Sequence, residues 1–310
     1  MKDDKSFTLL RALSVQIGRL NQPIVTSYHI GLMVFAAYRT KLLDGTPLLL
    51  KKADPTRQQF TNAMNQLLST GIVTSNPSAR SYVFSILGRS NVAVSETVCS
   101  VDPFCYVSHL SAMEFHGLTD RLPRTLIVST PPSPAWRGYA FELMKKDLGP
   151  DYELYIEAGF PRLKRVHPEK ISGEKIEYVA STHMGAYKNV QGQTLRVATM
   201  GRTFLDMLRK PELCGGMQHV IDVFQQSAKN YLRLIGDELD LHGNSIEKVR
   251  AGYILSELCS IQDERVNSWK RFAQRGGSRK LDPNAEYSST FSAEWCLSLN
   301  LPSLERNASN

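Results

Sequence analysis

The chain has 310 residues, 42% hydrophobic and 22% charged, ordinary values for globular protein with room for two domains. No apolar run reaches the ~18 residues that a membrane-spanning helix needs, and the mixed stretch MKDDKSFTLL does not read as a secretory signal. The formal net charge is +7, and its excess sits at one end: residues 1–98 hold 11 Lys/Arg against 5 Asp/Glu, leaving 26 against 25 for residues 99–310. Such an asymmetry points to a polyanion as partner of the first third, the alternative being a basic solvated surface.

In chain order, apolar residues at Leu9, Leu10, Leu13, Ile17 and Leu20 predict a helix within 6–20, with Ser6 as its cap. Residues 26–43 predict a second, more buried helix, capped by Thr26 or Ser27 and stopped at Asp44-Gly45, and 47–50 a short strand. A third helix follows within 53–73, with Asp54 as cap, Pro55 at the first helical position and Gly71 as terminator. Its apolar stripe is Phe60, Met64, Leu67 and Leu68, and its other face carries Arg57, Gln58, Thr61, Asn62 and Asn65 with no acid. Arg, Asn and Gln are the side chains that contact guanine and adenine edges bidentately. Then 71–87 reads as strand, Asn-Pro turn, strand, with Arg80 near the tip.

Two helices, a polar helix and a hairpin follow the order of a winged helix-turn-helix, in which the third helix enters the major groove and the wing touches backbone or minor groove. In that frame Arg57, Thr61, Asn62 and Asn65 read bases, Gln58 belongs to the same DNA-binding face, and Lys51, Lys52 and Arg80 hold phosphates. A small helical domain docking another protein is the alternative.

Residues 88–103 are small, polar and aperiodic, which predicts a linker and a boundary between a domain at 1–98 and another at 104–310. Next comes YVSHLSAMEFHGLTDR at 106–121, in which Ser108 can cap a helix through His116 and Gly117 can stop it. His109 and His116 are seven residues apart, about 10.5 Å along a helix, too far for zinc to bridge at ~2.0–2.1 Å. Glu114 is also at the wrong offset for a metalloprotease helix, so packing histidines are expected and no metal.

Further on, 124–132, 152–157, 162–168 and 194–199 read as short strands, and 202–210 as a helix ended by Pro211. Three consecutive amphipathic helices are expected after it, the last two separated at Gly243. The whole is an α+β pattern: a helix-turn-helix domain, then a mixed α/β domain with a helical C-terminal part. A closing strand with a buried Trp295 is expected within 291–302. Lys270, Arg271, Arg275, Arg279 and Lys280 form a second basic cluster, facing either a partner or solvent.

No nucleophile elbow, phosphate loop or dinucleotide fingerprint occurs, and His109, His116, Asp120, His167, His183, Asp206 and His219 are scattered, so neither catalysis nor a cofactor is expected. Arg202 and Asp206, one turn apart, read as a structural ion pair. Five cysteines without a CxxC pair read as reduced thiols of a cytoplasmic protein.

Several motifs resemble one family. Residues 108–119 are similar to the S-x-x-S-A-L-x-x-H-G-L-T segment that opens the effector domain of AbiEi-type antitoxins of bacterial type IV toxin–antitoxin systems, with Met113 in place of Leu. Arg202-Thr203 with Asp206 resembles the family's R-T-x-x-D, Pro211 with Gly215-Gly216 its P-x-x-x-G-G, and 273–300 the close of one subgroup. The resemblance implies a winged helix ahead of the effector domain, binding to inverted repeats in the protein's own promoter, and a nucleotidyltransferase-like toxin neutralised directly or indirectly. A plain winged-helix regulator with a ligand- or partner-sensing second domain is the rival reading, and a DNA-targeted nuclease a more distant one.

Overall fold

A computed structural model describes residues 6–50, 52, 54–77, 81–89, 92–182, 186–274 and 279–307. Lys51, Arg80, His183 and Arg275 lie outside the described residues. Helices and sheets mix throughout, an α+β architecture. The chain opens with β1 (Phe7–Thr8), α1 (Leu9–Gly18), β2 (Ile24–Thr26), α2 (Ser27–Thr40), β3 (Leu42–Leu43) and β4 (Thr46–Leu49). Next come α3 (Arg57–Ser69), β5 (Val73–Ser75), β6 (Val83–Ile86), α4 (Val94–Val101), β7 (Tyr106–Val107), α5 (His109–Phe115) and β8 (Leu126–Thr130). The middle holds α6 (Ser133–Leu148), α7 (Tyr152–Glu157), β9 (Lys170–Ile171), β10 (Glu174–Ala180), β11 (Tyr187–Asn189) and β12 (Arg196–Ala198). Then follow α8 (Met200–Arg209), α9 (Met217–His242), α10 (Ser245–Tyr253), α11 (Glu264–Ser268), β13 (Phe291–Ser292), β14 (Leu297–Ser298) and α12 (Pro302–Asn307).

Two compact units divide the chain, and neither is contiguous in sequence, unlike the single cut expected between 98 and 104. The first joins 1–105, 130–182 and 189–196; the second joins 106–129, 183–188 and 197–310.

In the first unit the early elements follow the sequence pattern with shifted ends. Thr8, not Ser6, caps α1 by accepting from the Arg11 amide. Thr26 caps α2 in a capping box with His29, and Lys41 ends it in the left-handed conformation. Thr56, not Asp54, precedes α3, so Pro55 lies outside the helix, while Gly71 takes the left-handed φ (+71°) expected of a terminator. Strand β6 pairs antiparallel with both β2 and β5, giving a three-stranded sheet in the order β2-β6-β5 beside the three helices.

The expected linker is a helix instead. α4 carries Val94, Val98 and Val101 at i, i+4 and i+7, and Val98 and Val101 are buried. Residues 152–157 form a helix rather than a strand, because Tyr155 turns inward into an aromatic core. Residues 162–168 take no regular structure. The core then extends through Trp136, Ala140 and Met144 of α6, and through Phe160 and Leu163.

One buried carboxylate ties these pieces together. Asp102, 1% exposed, accepts from the Phe104 amide (2.9 Å), Trp136 Nε1 (2.9 Å) and Thr130 Oγ1 (2.9 Å), with His167 Nε2 at 3.1 Å. Burial alone would raise its pKa. The bonds from His167, Trp136, Phe104 and Thr130 outweigh that and hold the carboxyl below the ordinary 3.8.

In the second unit β7 pairs antiparallel with β8 and parallel with β12. Helices α8 and α9 then pack at close range, since a Cβ on Gly201 would lie 2.3 Å from the Leu234 carbonyl oxygen. Arg202 bonds Asp206 at 2.9 Å and approaches Glu238 of α9 at 3.6 Å, so the i, i+4 ion pair is fully buried. The two helices expected across 215–243 are one 26-residue helix, because nothing between them caps or breaks it. Asn244 and Glu247 form the capping box that starts α10. β13 and β14 make a closing hairpin around a fully buried Trp295.

Asp102→Ala strands the Trp136, Thr130 and Phe104 donors in the core and is expected to cost about 3–5 kcal/mol in urea unfolding. The Asp102 carboxyl has a folded pKa below its unfolded one, so its contribution is full above the ordinary carboxyl range and fades as pH falls below about 4. An acid limb of the stability profile that is the same in Asp102→Asn as in the native chain would contradict this.

Candidate nucleic-acid interface

Helix α3 holds one face in the first unit's core and offers the other to solvent. Gln59, Ala63, Met64 and Leu67 are buried, whereas Arg57, Gln58, Thr61, Asn62 and Asn65 are all exposed, one row along the helix. The expected recognition residues are thus brought together on one face. Gln58 Nε2 donates to Asn62 Oδ1 at 2.9 Å, presenting the two amides as a pair. Thr61 Oγ1 donates back to the Arg57 carbonyl (3.0 Å). No acid lies in the helix, and Asp54, exposed ahead of it, is its closest acidic neighbour in sequence. Lys52 is also exposed.

Two contacts brace the start of this helix. Thr56 Oγ1 and Gln59 Oε1 bond one another across the first turn. The stem of Arg57 lies beside Gly159: a Cβ there would sit at an ordinary contact distance, 3.6 Å, from Arg57 Cβ and Cδ, and it is the left-handed φ of +74° that favours glycine. Phe160 then stacks near Phe60 of α3 (6.1 Å between ring centres) and Phe35 of α2 (5.4 Å). Residues 159–165 therefore flank the helix, a placement hidden from local patterning. The available signal was composition, since residues 158–168 contain no acid.

The second basic cluster is largely committed to its own chain. Lys270 pairs with Glu294 and lies 5.9 Å from the Trp295 ring centre. Arg271 lies 4.8 Å over Phe272; Arg279 donates to the Phe272 carbonyl (2.6 Å) and Lys280 to that of Ala285 (2.7 Å). Of these, Lys270 reaches the closing hairpin, through Glu294 and Trp295.

The scattered titratable residues are likewise engaged. His109, 3% exposed, bonds Ser108 Oγ at 2.9 Å, and Ser129 Oγ donates to Ser108 at 2.9 Å. Ser108 therefore precedes α5 without bonding its amides. His116 ends α5 and donates Nε2–H to the Ala198 carbonyl at 2.7 Å, and burial lowers its pKa, keeping the ring neutral. Gly117 follows in the left-handed conformation at φ +66°. His219 bonds Thr119 at 2.9 Å, Asp206 is held by Arg202, and Asp120 is exposed. Most of the family-like motif residues are thus framework. Among the described residues no group of three or more His, Cys, Asp or Glu side chains is placed to hold a metal ion, and no helix is long and apolar enough to cross a membrane. All five cysteines are free thiols.

No protein-family model and no curated protein matches the chain. Among solved structures it is similar to the crystal structure of the RV2827C protein from Mycobacterium tuberculosis, at 12% identity over 97% of this chain and 95% of that one, with a TM-score of 0.46.

His116→Ala removes one part-buried hydrogen bond and is expected to lower stability by about 0.5–1.5 kcal/mol, read as a shifted urea midpoint. An unshifted midpoint would show that the Ala198 contact carries no stability.

Proposed function

We propose that the first unit presents a winged helix-turn-helix module that binds duplex DNA, and that the chain is a cytoplasmic antitoxin repressing its own operon. The observation that carries the DNA reading is α3: an acid-free row of Arg57, Gln58, Thr61, Asn62 and Asn65 on one helix, followed directly by the β5–β6 hairpin. Arg57 can pair with guanine O6 and N7, and the Asn and Gln amides with adenine N6 and N7. Lys52 adds a cation beside the helix for a phosphate. The antitoxin reading is supported by the motifs at 108–119, 202–206 and 211–216, in family order behind such a module. Its partner is a nucleotidyltransferase-like toxin.

A second reading has one observation in its favour. The second unit carries a half-open surface pocket of about 400 Å³ lined by Leu232, Arg233, Gly236, Asp263, Arg265, Val266 and Trp269, where a regulator whose second unit senses a ligand would take it. A toxin gene beside this one favours the antitoxin.

Arg57→Ala combined with Asn62→Ala is expected to weaken binding to the upstream promoter duplex by about 2–6 kcal/mol in a gel-shift series and to relieve repression of a reporter. Protection of cells against the co-expressed toxin should persist. Unchanged promoter affinity would overturn the recognition-helix assignment, and lost protection in a folded variant would overturn the separation of the two activities.

A further inference from the structure

The segment Gly159-Phe160-Pro161-Arg162-Leu163-Lys164-Arg165 meets α3 through Gly159 and Phe160 and the β5–β6 hairpin through Tyr82, yet it comes from the middle of the chain. Its backbone is held at three points. Tyr155 Oη donates to the Pro161 carbonyl (2.7 Å), Tyr82 Oη donates to the Arg162 carbonyl (3.2 Å), and the Lys164 amide donates to Tyr82 Oη (2.8 Å). Tyr82 lies just before β6, so the hairpin itself grips this segment. The side chains alternate: Phe160 and Leu163 are buried, Arg162 and Lys164 exposed. Lys164 Nζ sits 5.9 Å from the Tyr82 ring centre, and Gly159 abuts Arg57.

Among the described residues no ion pair joins Arg57, Arg162 or Lys164 to a carboxylate, whereas Arg19 and Arg39 of the same unit pair with Asp44 and Asp151. Arg165, the third cation of the segment, is used internally: it bonds Ser133 Oγ and the Pro131 carbonyl. With the backbone pinned, the two exposed cations beside an acid-free helix meet an anion at the cost of side-chain rotamer freedom only, with no backbone to order.

Resting on the DNA-binding reading above, we propose that Arg162 and Lys164 extend the α3 face as a phosphate clamp, so that one duplex is held by α3 at its bases and by the 159–165 segment at its backbone. The partner chemistry is the sugar–phosphate backbone, so the contribution is independent of base sequence.

The test uses the full chain and two probes, the upstream promoter duplex and a random-sequence duplex, with affinity measured across a salt series. Each phosphate neutralised adds about 0.9 to the slope of log affinity against log salt. Arg162→Ala with Lys164→Ala is expected to lower that slope by about 1–2 on both probes, leaving the preference for promoter over random duplex intact. Thermal midpoint and far-ultraviolet circular dichroism should match the native chain, since the pinning bonds are to the backbone. Arg162→Lys with Lys164→Arg keeps both charges and should keep the native slope; loss of slope there too would assign the residues a packing role and overturn the clamp. If Arg57→Ala with Asn62→Ala abolishes promoter binding but the Arg162/Lys164 double variant keeps the native slope, the clamp is wrong and the recognition helix stands. If the native chain binds neither duplex, the DNA reading falls and the clamp with it.

Discussion

Phe160 is the pivot of the first unit. Its ring packs edge-on to Phe35 (5.4 Å), against Tyr155 (5.1 Å) and near Phe60 (6.1 Å), so one side chain from the middle of the chain touches α2, α3 and α7. Aromatic pairs at these distances add about 0.5–1.5 kcal/mol each beyond the area they bury. Tyr155 fits because Gly31 on α2 has no side chain: a Cβ there would lie 2.5 Å from Tyr155 Oη. Tyr28 closes the other side, donating to Asp147 at 2.9 Å. Without this aromatic packing, α3 would lack the support that sets its angle, and residues 159–165 would have no reason to run beside it.

That support is also what leaves the opposite face of α3 free. A helix buries one stripe and solvates the rest, and here the solvated row is selected for amides, a hydroxyl and one guanidinium instead of the acid–base mixture of an ordinary surface helix. Such side chains neither stabilise the helix through ion pairs nor contribute to the core. On the DNA-binding proposal their arrangement serves as recognition chemistry, and the exposed cations nearby would supply the non-specific attraction that brings a duplex within reach.

Local chemistry made much of the first unit legible. The Thr26 cap, the stripe through Met64 and Leu67, the Gly71 stop and the hairpin at 73–86 each follow from residues a few positions apart. Elements that depend on distant partners were harder to read. The stretch at 152–157 alternates like a strand, but Tyr155 is drawn into a core that includes Tyr28 and Phe35, more than a hundred residues away. α4 was obscured by Ser, Thr and Cys among its valines, although the valine spacing is helical. The non-contiguous units are a consequence of long-range contacts such as Tyr28–Asp147 and Asp102–His167, which leave no trace in local pattern. For the interface, residue types were readable on α3, while Arg162 and Lys164 needed the fold to bring them there.

The central claim is that one continuous surface, α3 with the 159–165 segment, faces the duplex. Site-specific photo-crosslinking tests it most directly, with a benzophenone side chain placed in turn at Asn62, at Arg162 and at the exposed Lys229 of α9. Irradiation with the promoter duplex should crosslink the first two positions and not the third. Crosslinks at Lys229 with none at Asn62 and Arg162 would contradict the account.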